Sequence, residues 1–308
     1  MSVVEEYICW QLSLTLLKFV QDGCNEKQAY EMKNILERWL ISTYNDIESV
    51  DEKMISEIIE KKLASADAAR ELMEKVLEIK QNFVCPESSH DIVVSRKDIK
   101  YGQYNRSIDP RIQYLLSKGQ SDQVVIMLLR YESILPGGQH WGVPWTVTDY
   151  LYELGFRNEG FASPLNSRFI DKPNGKFCSL FLDTDAQFGS LGSFFLIKIK
   201  DHPGGWLINP PMIASLLDSI LEKIEEFLDE TQRSVPIFFS MGAWTDTQIY
   251  KRLSRSPYLI DKVNLNPGKY YYETPERQKV TAYFRSVYFI LGKSFSQKIL
   301  KEIAQRWV

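Results

Sequence analysis

Apolar and polar positions follow two different patterns along the chain. Up to about residue 84, apolar side chains recur every three or four positions, the spacing of a helix with one buried face. The spacing predicts helices over Val3–Gln21, from Asn25 onward, over 51–63 and over 65–83. Asn25 with Gln28 three residues later matches a capping box. We interpret this part as a helical bundle, with a cap on a catalytic domain as the functional alternative.

Residues 85–120 are polar and are predicted to form a loop with a basic cluster. Its cations alternate with Tyr101, Tyr104 and Tyr114, a combination that suits phosphates and stacked bases. Ordinary surface loops have the same composition, so both interpretations stay open. The candidate nucleic-acid contacts are Arg96, Lys97, Arg106 and Arg111.

From residue 123 the pattern changes to short apolar runs. The run 124–131 fits a helix or a buried strand, and a helix is expected over 144–154. From Phe156 onward, apolar runs that end in polar or glycine-bearing loops alternate with helical stretches, which favours a doubly wound α/β sheet. The expected organisation is therefore a helical domain with a basic linker over 1–120 and an α/β domain over 121–308.

The stretch from Gly204 to Met212 carries the most specific chemistry. An apolar strand stops at Asn209-Pro210-Pro211, and a helix pattern follows. The two prolines fix φ and remove two backbone donors. An asparagine oxygen and a prolyl carbonyl can together accept both hydrogens of an exocyclic amine. The alternative is a structural turn.

Composition narrows the remaining choices. The chain has 308 residues and a net charge of −3, so any nucleic acid must bind to a local patch. Its four cysteines and three histidines lack metal-ligand spacing, and we expect no metal site. With neither a secretion signal nor an apolar span apparent, an intracellular protein, nuclear or cytoplasmic, is expected and no membrane association.

Several segments, in order, resemble the phosphorylated-CTD-interacting-factor family, whose best-known activity is cap-specific N6-methylation of 2′-O-methyladenosine in messenger RNA. The matching segments are 129–131, 139–144, 161–166, 177–179, 183–185, 188–190 and 209–211. The resemblance implies a Rossmann-like methyltransferase domain preceded by an α-helical domain. It also implies S-adenosyl-L-methionine as methyl donor and RNA, at its capped 5′ end, as acceptor.

The resemblance also assigns roles to residues. Catalysis falls to Asn209, Pro210, Pro211 and Met212. Cofactor binding falls to Ala162, Ser163, Pro164, Asn166, Asp183, Asp185, Phe188 and Gly189. Loop capping is the alternative role for the two aspartates. Substrate binding falls to Gln139, His140, Trp141 and Trp244, together with the basic cluster.

The sequence departs from the family pattern at two places. Met212 stands where the family has a phenylalanine, and Gly242-Ala243-Trp244 stands where it commonly has Pro-Glu-Trp. We also find no segment resembling the family's WW module. Two alternatives therefore accompany an RNA adenine N6-methyltransferase: an inactive methyltransferase fold that binds RNA or a partner subunit, and a DNA adenine N6-methyltransferase.

Overall fold

The computed structural model describes residues 2–22, 24–42, 52–82, 91–135, 137–231, 235–293 and 297–307. The chain forms two compact units, residues 1–139 and 140–308. The division lies after Gln139 rather than at the expected residue 120, because the helix that follows residue 120 packs on the first helix of the chain. Among the described residues, no helix is both long enough and apolar enough to span a bilayer.

The first unit combines six helices with a small antiparallel sheet in its described part. The helices are α1 (Val3–Gln21), α2 (Glu26–Ser42), α3 (Glu52–Glu60), α4 (Ala66–Asn82), α5 (Pro110–Leu116) and α6 (Ser121–Ser133). The strands are β1 (Val93–Val94), β2 (Asp98–Tyr101) and β3 (Tyr104–Ser107), in the order β1-β2-β3. The helices expected within residues 1–84 are present, and α6 decides the open choice for residues 124–131.

Local hydrogen bonds explain where two of these helices begin. Ser2 and Glu5 form a reciprocal capping box at the start of α1. Asn25 and Gln28 do the same for α2, with backbone-to-side-chain distances of 3.2 and 3.0 Å. The expected cap of the second helix is thus confirmed, since these side chains satisfy N–H groups that the helix leaves unpaired.

The expected loop over residues 85–120 is wrong for its described part, 91–120. Strands β1 to β3 and helix α5 occupy much of it. The sheet forms because Ile99, Tyr101 and Tyr104 are buried in the first unit. The Tyr101 ring meets Tyr7 edge-on at 5.1 Å, and the Tyr104 ring meets Trp10 at 5.2 Å. The segment is polar in overall composition, but its tyrosine rings are part of the hydrophobic core of the first unit.

The second unit is built on a six-stranded mixed sheet. The described part of this unit contains eight strands, six in this sheet and two in a separate pair. They are β4 (Phe156–Glu159), β5 (Lys176–Phe177), β6 (Gly205–Ile208), β7 (Ile237–Gly242), β8 (Leu259–Leu265), β9 (Tyr271–Glu273), β10 (Lys279–Thr281) and β11 (Ser286–Leu291). The sheet order is β5-β4-β6-β7-β11-β8, and β9 and β10 form a separate antiparallel pair. Strands β5, β4, β6 and β7 are parallel, whereas β11 is antiparallel to both β7 and β8. The α/β class and the late antiparallel strands are confirmed, while the finer Rossmann-like assignment stays a prediction.

Helices cover both faces of this sheet. They are α7 (Trp145–Glu153), α8 (Leu182–Asp185), α9 (Ala214–Glu230), α10 (Gln248–Arg255) and α11 (Gln297–Arg306). On one face, apolar residues of α9 and α10 pack with Trp206 and Phe239. On the other face, residues of α7 and α11 pack with Phe238 and Tyr288. Neighbouring strand residues thus serve opposite cores, as strand alternation requires. Helix α10 and strand β8 were not expected from the sequence.

Candidate active site at the carboxyl edge of the sheet

The sheet has a topological switch point between β4 and β6. The chain passes from β4 to β5 on one side and later returns to β6 on the other, so β4 lies between them. Open α/β sheets bind ligands beyond the carboxyl ends of the strands at such a point. The loop that follows β4 begins at Gly160, and its N–H donates to the Leu207 carbonyl at 2.9 Å. Two separately predicted motifs, 161–166 and 209–212, therefore leave the sheet side by side.

Asn209 is held by one half of its amide. Its Nδ2 donates to the main-chain carbonyl of Trp141 at 3.2 Å. This bond turns Oδ1 away from Trp141, and no donor lies on Oδ1 within the described parts of the chain. Asn209 is half-buried and Pro210 is buried. The arrangement presents an acceptor oxygen on a side chain that is already fixed.

The two prolines differ in what their carbonyls do. The Pro211 carbonyl accepts the Ile213 N–H at 2.8 Å, and the Ile213 carbonyl then accepts the Leu217 N–H as α9 begins. The Pro210 carbonyl has no donor among the described residues. Among the described residues, the Pro210 carbonyl is therefore the one of the two that remains available to a ligand.

The Met212 side chain lies partly in the hydrophobic core and partly at the surface. Its side chain is half-buried and packs against the apolar core on the α9 face of the sheet. A flexible thioether adapts to such a border position. Part of this side chain therefore supports the core, and only the remainder can face a ligand.

The loop after β4 is closed by its own polar groups. The Oδ1 atom of Asn166 accepts from the Ser163 N–H at 2.7 Å and from the Ser163 hydroxyl at 3.1 Å. The Nδ2 atom of Asn166 donates to the main-chain carbonyl of His140 at 3.3 Å. Ser163 and Pro164 are buried, while Ala162 is half-buried. Asn166 thus shapes the loop, and the groups it leaves for a ligand are mainly backbone.

The loop after β5 separates the two candidate aspartates. Asp183 is exposed, whereas Asp185 is fully buried and accepts from the Thr184 hydroxyl at 2.9 Å. The Asp185 carboxylate therefore bonds within its own loop, without a side-chain cap on the short helical turn that it precedes. Phe188 is buried, and Gly189 follows with φ of 94°. A Cβ on Gly189 would have no heavy atom within 4 Å, so space is open beside this residue.

The segment around residue 140 contributes backbone rather than side chains. Carbonyls of His140 and Trp141 accept from Asn166 and Asn209, and so join the two motif loops. The His140 imidazole is buried, and burial lowers its pKa to about 4. The sequence predicted a substrate contact for this side chain, whereas the imidazole lies inside the fold. The Trp141 side chain is half-buried, and the side chain of Gln139 lies outside the described residues.

Trp244 lies just past the carboxyl end of β7, which pairs with β6. Its side chain is 41% exposed. The ring lies against Gly242, where an added Cβ would come within 2.7 Å of it. The main-chain carbonyl of Trp244 accepts from the Thr247 hydroxyl at 2.6 Å. This tryptophan is a fixed, exposed ring at the same edge as Asn209.

The basic cluster belongs to the first unit and does not form one surface. Arg96 and Lys97 are exposed, and Arg106 pairs with Glu132 at 3.5 Å. Arg111 is buried, so the expectation of a phosphate contact there is wrong. Buried Tyr101 and Tyr104 likewise offer no faces for bases.

Two residues that hold the backbone around the site, Glu159 and Arg168, were not predicted from the sequence. Glu159 ends β4 and is buried, and its carboxylate accepts from Ser167 and from the N–H groups of Arg168 and Phe169. Burial raises the pKa of Glu159 despite these bonds. Arg168 is also buried, and it donates to the Val143 carbonyl at 2.9 Å, which secures the chain just after Trp141. Glu159 follows Arg157 and Asn158 in a polar stretch, so its local sequence did not mark it as a buried residue.

The site shows no metal-binding cluster in the part of the chain that the structure describes. No group of three or more histidine, cysteine, aspartate or glutamate side chains converges there. The groups that the described residues present at this edge are amide, carbonyl, carboxylate and aromatic groups.

The chain is similar to known proteins over its central part. The sequence model of the family described as phosphorylated CTD interacting factor 1 WW domain matches residues 101–274. A mouse (Mus musculus) protein named mRNA (2′-O-methyladenosine-N(6)-)-methyltransferase is 28% identical over 145 residues. The human (Homo sapiens) protein of the same name is also 28% identical over 145 residues.

These matches cover 44% of this chain and 20% of each relative, so the chain spans about a fifth of the length of the curated relatives it matches. The family description includes a WW domain. The expectation that the chain lacks anything resembling that module is therefore not supported by the match.

Proposed function

The chain belongs to the phosphorylated CTD interacting factor 1 WW domain family, and on that premise we propose that its second unit is a methyltransferase domain acting on adenine N6 in RNA. The observation that carries the proposal is the adjacency of the Asn209 and Ser163 motifs at the switch point of the sheet. The likeness to two mRNA adenosine methyltransferases supports the same reaction class. The proposed acceptor is the cap-proximal 2′-O-methyladenosine.

The chain's own contribution is to hold the amine. The N6 lone pair of adenine is delocalised into the ring, so the free amine is a poor nucleophile. Asn209 Oδ1 and the Pro210 carbonyl accept its two hydrogens and draw the lone pair onto nitrogen. The bond to Trp141 fixes the amide beforehand, so most of the rate gain comes from positioning. The proton leaves after transfer, and no strong base is needed.

The edge fits S-adenosyl-L-methionine as the donor. Open space beside Gly189 allows close approach, and the exposed carboxylate of Asp183 attracts a cationic ligand. We assign its binding to the backbone at Ala162, Ser163, Pro164 and Asn166 and to Asp183, Phe188 and Gly189, with Asp185 supporting the loop. When bound, this compound supplies an electrophilic methyl group.

Donor binding is the first test. Calorimetry with S-adenosylhomocysteine on the full chain should give micromolar affinity that falls in Asp183→Ala. Asp201→Ala is the matched control, because Asp201 is equally exposed but precedes the amino end of β6. A chain that does not bind the compound would overturn the proposal.

Substrate class is tested by transfer to capped RNA, uncapped RNA and single-stranded DNA of one sequence that begins with adenosine. Preference for the capped RNA supports the proposed acceptor. Preference for DNA would move the activity to DNA adenine.

The second candidate function is an inactive fold that binds RNA or a partner subunit. The packing of Met212 against the core favours it, because this side chain is only partly available to a base. This candidate would be selected if the wild type binds RNA without transferring a methyl group and if Met212→Phe restores the transfer.

A further inference from the structure

Strands β7 and β11 bring two distant pieces of chain together at the carboxyl edge. Ser286 lies opposite Gly242, and the Ala243 N–H donates to the Arg285 carbonyl at 2.9 Å. One residue further from the sheet, Phe284 and Trp244 therefore lie opposite each other on the two neighbouring segments. Because β11 is antiparallel, its start lies beside the end of β7 and at the edge that carries Asn209.

This edge exposes three aromatic side chains. Trp244 is 41% exposed, Phe284 is 45% exposed and Tyr283 is 83% exposed. The Phe284 ring stacks on Tyr272 at 6.1 Å with an interplanar angle of 16°. The Tyr272 hydroxyl is itself bonded to Ser286 at 2.8 Å. One face of Phe284 is thus held by the core, and rings that are already fixed lose little entropy when a flat ligand stacks on them.

Residues 269–285, which include two of these rings, also carry several cations. The exposed ones in this stretch are Lys269, Arg277, Lys279 and Arg285. Within the described parts of the chain, the side chains of Lys269 and Arg285 make neither an ion pair nor a hydrogen bond. The two carboxylates of the same stretch are Glu273, which is buried and accepts the Trp145 N–H, and Glu276. The exposed balance of charge is positive although the whole chain carries −3.

We propose that this aromatic-basic rim binds single-stranded RNA. The rim is defined as Trp244, Lys269, Tyr283, Phe284 and Arg285. Unpaired bases stack on exposed rings, and cations follow the phosphates. A duplex buries its base faces and cannot use them. That the strand continues toward an adenine at Asn209 rests on the proposed function, whereas the binding itself does not.

The rim differs from the basic cluster of the first unit in one decisive respect. There, Tyr101 and Tyr104 are buried, and half-buried Tyr114 already has the Lys118 ammonium over its ring at 5.5 Å. Here, rings and cations are exposed together, which is the combination that single-strand binding requires.

Fluorescence anisotropy of the full chain with a labelled, uncapped, single-stranded RNA tests the rim without any methyl donor. Tyr283→Ala should weaken binding by about fivefold or more. Lys269→Ala and Arg285→Ala should each reduce the slope of log affinity against log salt by about 0.7. Matched controls are Tyr30→Ala, Lys176→Ala and Arg255→Ala, which change exposed side chains that are not part of the rim and should leave binding unchanged.

Three results would overturn the proposal. These are the absence of RNA binding by the wild type, rim variants that bind as the wild type does, and controls that lose as much affinity as the rim variants. The first would leave the rim as a protein-docking surface. A duplex of the same sequence should bind more weakly and should be insensitive to Tyr283→Ala.

Calorimetry with S-adenosylhomocysteine on the same variants separates this inference from the proposed function. The rim variants should bind it as the wild type does, which also shows that they are folded. RNA binding through the rim together with no binding of this compound would refute the methyltransferase and keep the rim.

Discussion

Replacing Asn209 by alanine removes the side-chain acceptor proposed to hold the amine. We expect a large loss of rate and a small loss of donor affinity, because the proposed donor-binding loops lie at 160–192 and Asn209 does not contribute to their internal bonds. Removal of one preorganised hydrogen-bonding group in an active site costs about 10²- to 10³-fold in kcat, or about 2.7–4 kcal/mol. Asn209→Ala should fall in this range, measured as single-turnover methyl transfer to capped RNA.

Asn209→Asp separates the two halves of the amide. Aspartate keeps an acceptor for the amine but cannot donate to the Trp141 carbonyl, which the amide reaches at 3.2 Å. A neutral hydrogen bond contributes about 0.5–1.5 kcal/mol net, and two facing oxygens also repel each other. We therefore expect about a tenfold reduction in kcat, smaller than that of the alanine variant.

The control is calorimetry with S-adenosylhomocysteine on the wild type and the two variants. Their dissociation constants should agree within about twofold if the loss of about 2.7–4 kcal/mol lies in the transfer step. Turnover by Asn209→Ala above a tenth of the wild-type rate would refute the reasoning. So would an aspartate variant slower than the alanine variant, because the acceptor would then not be the important group.

Three further predictions concern other parts of the molecule. Glu6 and Arg130 form a fully buried ion pair, so Glu6→Gln should lower the free energy of unfolding by about 3–5 kcal/mol in urea titration, while apolar replacement of both should recover most of it. Burial lowers the pKa of His140 to about 4 in the folded state, below its unfolded value near 6.5. The folded state therefore keeps its full stability at this residue above pH 6.5 and loses it as the pH falls toward 4, because only the unfolded chain then takes up the proton. Relative to His140→Phe, the wild type should lose up to about 3 kcal/mol over that interval, and equal pH profiles would contradict this. Gly242→Ala should displace the Trp244 ring and weaken RNA binding as much as Trp244→Ala does; unchanged binding would show that this ring takes no part.

Local pattern was sufficient for the N-terminal helices and for the position of the central motif, but not for β1 to β3, α5, α10 or β8. Helical spacing gave the four N-terminal helices, and capping residues set where α1 and α2 begin. The change from an apolar run to Asn209-Pro210-Pro211 located a strand end, because prolines cannot continue a strand or a helix ladder there. These features depend on neighbours in sequence, which is why the sequence alone determined them.

Tertiary structure decided which polar residues face solvent and which distant segments meet. Arg111, His140 and Asp185 are buried because of contacts from elsewhere in the chain, which their own spacing does not encode. Insertion of β11 between β7 and β8 places Phe284 and Arg285 beside Trp244, although some forty residues separate them. Strand pairing over such distances follows from the packing of the whole sheet, so the rim could be found only in the folded chain.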